Sequence, residues 1–295
     1  MFDLIKYKYL FIGISAALMV LAIASIAVFG FKLGIDLSGG SLWQVKIERQ
    51  ATVSDVENYL KSEIGIEQVS VTSDISNSMF LIRSNEISET KHREYLSALE
   101  RGFGKVEELR FESIGPAIGK ELRDKAFLAF FAVLFGISSY VAFAFRKVSY
   151  PVNSWKYGFS TLICLFHDAI IPAGLFAFLG HIKGVELDTN FLVAILVIMS
   201  FSVHDTIVVF DRIRENLTLS KDKSNLEKII NISVNQTFAR SINTSLTLVL
   251  VLIALCLMGA GSLAYFNFII LVGAVIGTYS SIFMASPLLT FFHRK

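Results

Sequence analysis

Two His-Asp pairs, His167-Asp168 and His204-Asp205, lie inside long apolar runs of the sequence. A charged side chain at the centre of a membrane costs about 2.5–3.5 kcal/mol on insertion scales, and such residues usually serve a function. The two runs share a short connection, so they are expected to be antiparallel neighbours whose pairs can face one interior. Because carboxyl and imidazole groups both bind and release protons, these pairs suggest proton transfer.

Three interpretations of the pairs stay open at this point. A repeated His-Asp is typical of some metal-dependent hydrolases, but neighbouring residues on a helix point about 100° apart, and metal-binding helices use i, i+3 or i, i+4 spacing. The pairs could instead hold helices together, although hydrogen bonds between membrane helices contribute only about 0.6–2 kcal/mol each. A proton relay offers more, because a proton that crosses the membrane potential releases about 2.3 kcal/mol per 100 mV. The sequence therefore favours a relay through Asp205, with Asp168 and His204 as further members, and predicts no metal site or other cofactor.

Further polar residues near the second pair suit a relay. Ser202 lies three residues before Asp205 on the same helix face, and Arg240 precedes a polar stretch over 243–245. Arg240 is a candidate counter-charge for the acid, and an anchor at the membrane surface is the alternative.

A ridge of small residues runs along the last apolar stretch. Gly273, Gly277, Ser281 and Ala285 recur at every fourth position. Such a ridge permits close helix contact. We predict that Gly273 and Gly277 pack helices inside the chain, with an interface to another chain as the alternative.

Composition indicates a membrane protein. Of the 295 residues, 54% are hydrophobic and 18% are charged, against about 25% charged in a typical soluble domain. The formal net charge of +2 and the lack of a Lys/Arg-rich tract argue against a nucleic-acid partner. Cys164 and Cys256 both lie in apolar runs, so neither a disulfide nor a thiolate metal site is expected.

Six stretches are apolar enough to cross a membrane, which takes about 20 residues. They are Leu10–Phe31, Ala126–Phe145, Tyr157–Gly180, Phe191–Phe210, Ile242–Ala260 and Leu263–Phe292. The first exceeds the apolar part of a signal peptide, about 7–15 residues, so we expect an uncleaved anchor although Ala22-Ile23-Ala24 mimics a cleavage site. The predicted organisation is an anchor over 1–35, a water-facing domain over 36–120, and five further helices over 121–295 with a loop near 211–241.

Lysine and arginine residues set the expected orientation. The short loops on one side carry only Lys183, whereas the short segments on the other side are rich in positive charge. The latter carry Lys6, Lys8, Arg146, Lys147, Lys156, Arg212, Arg214, Lys221, Lys223, Lys228, Arg240, Arg294 and Lys295. The positive-inside rule then predicts that both termini and the 211–241 loop are cytoplasmic and that the 36–120 domain lies outside.

The 36–120 domain is predicted to be α+β with a ferredoxin-like order of elements. Strands are expected over 41–48, 68–72, 79–83 and 106–112, and helices over 54–64 and 88–101, which gives β-α-β-β-α-β. The domain shows no acid pair, nucleophile–base set or phosphate loop, so the chain is not expected to be an enzyme. Its Gly39-Gly40 pair suits a turn or bulge as well as a ligand site.

Six motifs in order resemble the SecF family, the smaller half of the bacterial SecDF protein-export factor. They are GIDLSGG (34–40), FESIGPAIGKEL (111–122), FHDAIIPAGLFAFLG (166–180), SVHDTIVVFDRIREN (202–216), NQTFARSINTSLT (235–247) and GTYSSIFMASPLL (277–289). One departure is His204, where the family commonly has Asn beside the Asp. The resemblance covers nearly the whole chain.

The resemblance implies a place in the resistance–nodulation–division superfamily, whose members use twelve spans and proton-titrating residues near mid-membrane. With six spans, this chain should pair with a SecD-like subunit in the bacterial cytoplasmic (inner) membrane, beside the SecYEG channel and accessory Sec proteins. The complex would use proton flow to pull a translocating unfolded polypeptide into the periplasm. By motif match Asp205 is the transport acid, Arg240 matches an important Arg, and Asp168 falls in a family motif.

Two other functions stay open from the residues. A half-transporter could export a small molecule or lipid by the same proton chemistry, although the outer domain is small and has no obvious apolar pocket sequence. A passive assembly factor would use Asp205 only to hold helices together. A dependence of protein export on protons would separate the passive assembly role from proton-driven export.

Overall fold

The computed structural model describes residues 3–74, 79–146, 152–220, 225–258 and 263–291. The chain divides into two compact units, one of Leu33–Ala126 and one of Met1–Lys32 with Phe127–Lys295. Part of the predicted orientation rests on positive residues outside the described ranges, namely Lys147, Lys221, Lys223, Arg294 and Lys295.

The elements alternate between a small sheet unit and long helices. In chain order they are α1 (Lys8–Phe29), α2 (Ile35–Ser38), β1 (Gly40–Ile47), α3 (Val53–Ser62), β2 (Val69–Asp74), β3 (Met79–Ser84), α4 (Glu89–Phe103), β4 (Val106–Ile114), α5 (Pro116–Ala144), α6 (Ser154–Lys183), α7 (Thr189–Leu219), α8 (Leu226–Leu257), α9 (Ala264–Ser280) and α10 (Ser286–Phe291). A 3₁₀ turn, Ile5–Tyr7, leads into α1, and a π-helical segment, Ser281–Ala285, joins α9 to α10.

Six helices in the described chain are long and apolar enough to cross a membrane, which confirms the predicted number. They are α1 with its leading turn, α5, α6, α7, α8, and α9 continued into α10. Five of them begin before the apolar run from which they were predicted. Most of the segment 211–241 is helical, because α7 continues to Leu219 and α8 begins at Leu226. The spacing of Ser224 and Glu227 in the sequence is that of a capping box, and it predicts an amphipathic helix that begins here and runs into the fifth span.

The first turns of α8 are amphipathic and lie outside the apolar run. In α8 the buried residues before the apolar run recur at helical spacing, as Leu226, Ile229, Ile230, Ser233, Val234 and Thr237. A stripe of this width covers one face only, so the average hydropathy stays low although the helix is well packed. Hydropathy finds the membrane-crossing part of such a helix and misses its amphipathic extension.

Three helices form the centre of the helical unit. More than half of the apolar stretch is buried in α6 and in α9–α10 (56% and 61%), and 44% is buried in α7, whereas α1, α5 and α8 bury 17% or less. The last three therefore present most of their apolar surface outward. Polar side chains on the central helices can be kept away from hydrocarbon, which is the main requirement for polar groups at membrane depth.

The Leu33–Ala126 unit has the predicted ferredoxin-like α+β arrangement. Its antiparallel sheet has the strand order β2-β3-β1-β4, as the β-α-β-β-α-β connection requires. Alternate residues of β1, Trp43, Val45 and Ile47, are buried with the apolar stripes of α3 and α4. Thr52 begins α3 with a capping box to Asp55, and the hydrogen bonds from Thr52 lower the pKa of the Asp55 carboxyl.

Gly39 and Gly40 occupy a tight backbone crossing where the chain enters β1. Both have positive φ, 78° and 125°, which L side chains rarely adopt. A Cβ on Gly39 would lie 2.6 Å from the Cα of Pro116, and a Cβ on Gly119 would lie 2.5 Å from the backbone nitrogen of Gly39. The glycines thus have a structural explanation, since they let the strand entry touch the first turns of α5.

We expect Gly119→Ala to weaken this crossing. The new methyl group would overlap the backbone at Gly39, and overpacking of this kind typically costs about 1–3 kcal/mol. The chain should accumulate to a lower level, and limited proteolysis should cut the Leu33–Ala126 unit more readily. Gly136→Ala is the matched control, because a Cβ at this position of α5 meets nothing within 4 Å. Equal protease resistance of both variants would show that the crossing tolerates a side chain.

Candidate functional site

Asp168 lies at the centre of a buried polar cluster on α6. The side chains of Asp168 and His167 are both 0% exposed, and Nδ1 of His167 lies 2.7 Å from Oδ1 of Asp168. The other carboxylate oxygen, Oδ2, accepts hydrogen bonds from the hydroxyls of Ser202 on α7 and Ser280 on α9, the latter at 2.6 Å. Three donors satisfy most of the acceptor capacity of a carboxylate. Asp168 therefore joins the three central helices through the hydrogen bonds of its carboxylate.

The ridge of small residues brings α9 close to α7 of the same chain. A Cβ on Gly277 would lie 2.9 Å from the Cβ of Ser202, and a Cβ on Gly273 would lie 2.2 Å from the end of the Ile198 side chain. Both glycines are buried. This close approach allows α9 to place Ser280 against Asp168 while Ser202 reaches the same carboxylate from α7.

Asp205 lies on α7 and is 2% exposed. Within the described residues it accepts one hydrogen bond, from Ser245 on α8 at 3.2 Å. The Ser245 hydroxyl also lies 2.8 Å from the carbonyl of Ser241 and 2.6 Å from Oγ1 of Thr278. One hydroxyl proton cannot serve both the carboxylate and the carbonyl fully. Asp205 is therefore much less well satisfied than Asp168, although both are buried.

His204 and Arg240 point to the surface of this chain. His204 is exposed next to buried Asp205, because adjacent helical residues diverge by about 100°. Arg240 is exposed, and its side chain forms no hydrogen bond or ion pair with the other residues that the structure describes. Neither residue donates a hydrogen bond to Asp205. Of the predicted relay members, Asp168 and Asp205 are buried, whereas His204 and Arg240 are exposed.

An open cleft lies beside Arg240, between the lower turns of α7 and α8. It is lined by Val208, Asp211, Arg212, Glu215, Gln236, Thr237 and Arg240. Arg212 donates to Gln236 across the cleft and to Glu215 on its own helix, both at 2.6 Å. The Arg212–Gln236 bond joins α7 to α8 at a level about two helical turns after Asp205 on α7 and about two to three turns before Ser245 on α8.

Two residues of the site were not predicted to belong to it, namely Thr278 and Ser280 on α9, whereas the contact of His167 with Asp168 lies within a pair that the sequence already indicates. A signal for the two α9 residues exists in the sequence, where Thr278-Tyr279-Ser280-Ser281 interrupts an apolar run. Four polar residues in a row are unusual in a membrane-spanning stretch and mark a buried polar contact. The sequence pattern does not show which buried acid these side chains lie near, because that depends on how the helices pack.

The chemistry of the site is that of proton binding and hydrogen bonding. In the described parts of the chain, no three His, Cys, Asp or Glu side chains are grouped so that they could hold a metal ion. Asp168 is surrounded by hydroxyls and one imidazole, and Asp205 by hydroxyls. Hydroxyls both donate and accept, so they suit groups that change protonation state.

Two family descriptions match the chain. "Protein export membrane protein SecD/SecF, C-terminal" matches residues 95–295, and "SecD/SecF GG Motif" matches residues 24–51. The first match includes both His-Asp pairs and the ridge on α9. The second includes the Gly39-Gly40 crossing.

Curated relatives are similar over nearly their whole length. The protein translocase subunit SecF of Thermobaculum terrenum is 39% identical, over 100% of this chain and 95% of the relative. That of Anaerolinea thermophila is 38% identical, over 97% of this chain and 92% of the relative. Both relatives are thus proteins of nearly the same extent as this chain.

Solved structures show the same fold within a longer chain. The crystal structure of SecDF, a translocon-associated membrane protein from Thermus thermophilus, matches with a TM-score of 0.83 and 32% identity. A structure of SecDF in a super-membrane-facing form matches with a TM-score of 0.69 and 31% identity. Each match covers 98% of this chain but only 38% of the SecDF chain.

Proposed function

Because the chain belongs to the SecF family of protein translocase subunits, we propose that it couples the proton-motive force to late-stage export of proteins across the bacterial cytoplasmic membrane. Its six apolar helices and its SecF relatives make it a membrane protein. In the proposed assembly, a SecD-like subunit supplies the other half of the membrane domain, and the complex acts beside the SecYEG channel and accessory Sec proteins. Its substrate is a translocating unfolded polypeptide, and protons supply the energy.

The observation that carries the proposal is the contrast between the two buried acids. Asp168 has three hydrogen-bond donors, whereas Asp205 has one long bond, to Ser245. A buried carboxylate is costly when its acceptor sites are unfilled. Proton binding removes that cost at Asp205 and gains little at Asp168. Asp205 is therefore the acid whose protonation changes the energy of the bundle most.

Proton binding at Asp205 would act on the contact between α7, α8 and α9. The ionised carboxylate accepts a hydrogen bond from the Ser245 hydroxyl, and the oxygen of that hydroxyl accepts a hydrogen bond from Thr278 on α9. The neutral acid releases Ser245 to bond fully to the Ser241 carbonyl. Alternation between the two bonding patterns gives two packing arrangements of the same helices. A membrane potential of 100 mV supplies about 2.3 kcal/mol per proton to bias them.

Exposed polar residues on α7 and α8 support a partner subunit in the membrane. His204 lies on the outer face of α7, and Arg240 and Asn243 lie on the outer face of α8. Polar residues at membrane depth almost always face other helices or a water-filled cavity. Helices of a SecD-like partner would cover this face and bring charged groups to Arg240. The greater length of the matched SecDF chains accords with a second half of this kind.

The Leu33–Ala126 unit would handle the exported chain on the far side of the membrane. It is inserted between two membrane helices, and one residue, Gly115, separates β4 from α5. We propose that the unit is periplasmic and that it transmits helix movement to the exported chain. The alternative of a half-transporter for small molecules gains no support from the relatives described above, which are named as protein translocase subunits.

The test of the proposal compares export into inverted vesicles that carry the wild-type chain or Asp205→Asn, with and without an uncoupler. Loss of the uncoupler-sensitive part of export in the variant supports proton coupling through Asp205. Unchanged sensitivity contradicts it.

The proposed orientation gives an independent prediction. We expect a thiol introduced by Asn85→Cys to be labelled from outside the cell, and one introduced by Ser220→Cys only after the cytoplasmic side is opened. The reason is the excess of lysine and arginine on the Ser220 side. The parent chain is the control, since Cys164 is buried and Cys256 is half-buried. Labelling of the Ser220→Cys thiol from outside alone would reverse both the topology and the proposed direction of proton flow.

A further inference from the structure

His167 is a buried imidazole with one nitrogen bonded and the other without a partner. Its side chain is 0% exposed, and Nδ1 bonds to Asp168. Nε2 is buried and has no hydrogen-bond partner within the described residues. A buried polar atom without a partner is rare in proteins and calls for a specific explanation. The proposed coupling through Asp205 does not use it.

The helix register shows where Nε2 points. Ala22 on α1 touches Gly174 on α6, and Phe29 lies against Phe178 and His181, so the two helices run parallel. His167 precedes Gly174 by seven residues, which is about two helical turns and keeps it on the same face. On α1, Ser15 likewise precedes Ala22 by seven residues. The imidazole therefore faces α1 at the level of Ser15.

A short series of hydroxyls continues from this level. Ser15 is 0% exposed, and its hydroxyl lies 3.4 Å from the hydroxyl of Tyr279 on α9. The Tyr279 hydroxyl in turn donates to the carbonyl of Phe11 on α1, at 2.8 Å. Hydroxyls can accept one proton and pass on another. Polar groups therefore extend from the His167 level toward the start of α1.

The charges of the pair determine where an added proton would bind. Oδ2 of Asp168 already accepts two hydroxyls and Oδ1 faces Nδ1, so the free position is Nε2 of His167. With neutral His167 the buried pair carries one negative charge, and with protonated His167 it carries none. A paired, net-neutral arrangement is the less costly one in a low-dielectric interior.

We propose that His167 and Asp168 form a second proton-binding site, which takes up and releases its proton at Nε2 of His167 on the side facing α1. Uptake forms an N–H bond at Nε2 and release breaks it, with bulk water as the source and acceptor of the proton and with no redox change. The titratable groups near the pair are Asp168, which bonds to Nδ1, buried Cys164 one turn earlier on α6, and Tyr279 on α9, whose hydroxyl lies 3.4 Å from that of Ser15. From α7, Ser202 bonds to Asp168. The site extends the proposed proton coupling, but its proton binding can be measured without any export.

Nitrogen NMR of the histidine rings tests the proposal directly. The chain is purified with its co-purifying partner, labelled with ¹⁵N-histidine and placed in lipid nanodiscs. The signal missing in His167→Gln identifies His167 among the five histidines. Between about pH 5 and 8 we expect it to change from a form protonated only at Nδ1 to a doubly protonated form. A His167 that keeps a single protonation state over this range would overturn the proposal.

Two variants separate proton binding from simple packing. Asp168→Asn removes the negative charge with little change of shape, so the doubly protonated fraction of His167 at a given pH should fall about tenfold or more. Ser15→Ala should leave that fraction unchanged but slow the exchange of the Nε2 proton with water. If the doubly protonated fraction of His167 is unchanged in Asp168→Asn, the proposed site is contradicted. If the exchange of the Nε2 proton with water is unchanged in Ser15→Ala, the proposed route past Ser15 is contradicted.

A control and a reserve variant complete the experiment. His181→Gln alters an exposed histidine on the same helix and should leave the His167 signal as in the wild type. If Asp168→Asn fails to accumulate, Ser280→Ala removes one donor to the carboxylate. The doubly protonated fraction should then rise, because a less well satisfied carboxylate attracts the proton more strongly. A fall or no change in Ser280→Ala would also count against the pair.

Discussion

Asp205→Asn is expected to abolish the uncoupler-sensitive part of export while the chain still accumulates and binds its partner. Asparagine has nearly the shape of aspartate and can accept the hydrogen bond from Ser245, but it cannot gain or lose a proton. If Asp205 only held helices together, the exchange would be mild, because it also removes the cost of about 2.5–3.5 kcal/mol for a charge at membrane depth. A large functional loss with normal accumulation is therefore specific to proton coupling. The measurement is late-stage export into energised inverted vesicles, with and without an uncoupler.

Two variants act as controls for this result. Asp205→Glu keeps a titrating group but moves the carboxyl by one methylene, so it should retain part of the activity. Asp168→Asn should cause the smaller export defect, since Asp168 is already satisfied by Ser202, Ser280 and His167. If Asp205→Asn supports export that falls on uncoupling as much as the wild type does, another group carries the proton. Asp168 or the partner subunit would then be the next candidate.

Gly277→Leu is expected to reduce the amount of folded chain severalfold. Even a Cβ at this position would lie 2.9 Å from the Cβ and 3.4 Å from the Cα of Ser202. Because these atoms are close to the backbone of α7, they cannot rotate away, and α9 must move outward. That movement also separates Ser202 and Ser280 from the carboxylate they share. Overpacking alone typically costs about 1–3 kcal/mol, and a change of 1–2 kcal/mol can alter abundance several-fold.

The measurement is the level of chain and of bound partner in membranes, with thermal unfolding in detergent as the second readout. Gly136→Leu is the matched control, because it also replaces a glycine in a membrane helix but meets nothing within 4 Å. It should accumulate like the wild type. If Gly277→Leu does so too, keeps its partner and supports export, the contact between α7 and α9 is not needed in the working protein.

The sequence predicts the number of membrane helices and the small α+β unit well, because both depend on local patterns. Strands β1 and β3 alternate buried residues with more exposed ones, and each predicted strand or helix of the sheet unit lies within two residues of its observed bounds. The ends of the long helices were harder to predict. The apolar run of the fifth span begins at Ile242, whereas α8 begins at Leu226, because its first turns are amphipathic. Only the capping-box spacing of Ser224 and Glu227 predicts the helix start in this part of the sequence.

The candidate site, too, could be predicted from the sequence only in part. The acids are visible in the sequence because a carboxylate in an apolar run is rare. The expectation that both His-Asp pairs face one interior holds for three of the four residues, and His204 instead lies outside. The difference follows from position in the bundle: α6 is enclosed on several sides and can bury two adjacent residues, whereas α7 has one open face. Such information comes from packing and cannot be read from spacing.

The distances along the chain between Asp168 and its donors have a consequence for synthesis. Ser202 follows Asp168 by 34 residues and Ser280 follows it by 112. During insertion α6 therefore enters the membrane before α9 exists, with a carboxylate that lacks part of its final bonding. A buried carboxylate with unfilled acceptor sites is costly. The docking of α9 supplies the donor from Ser280, so the last helix to be made completes the bonding of a residue made long before.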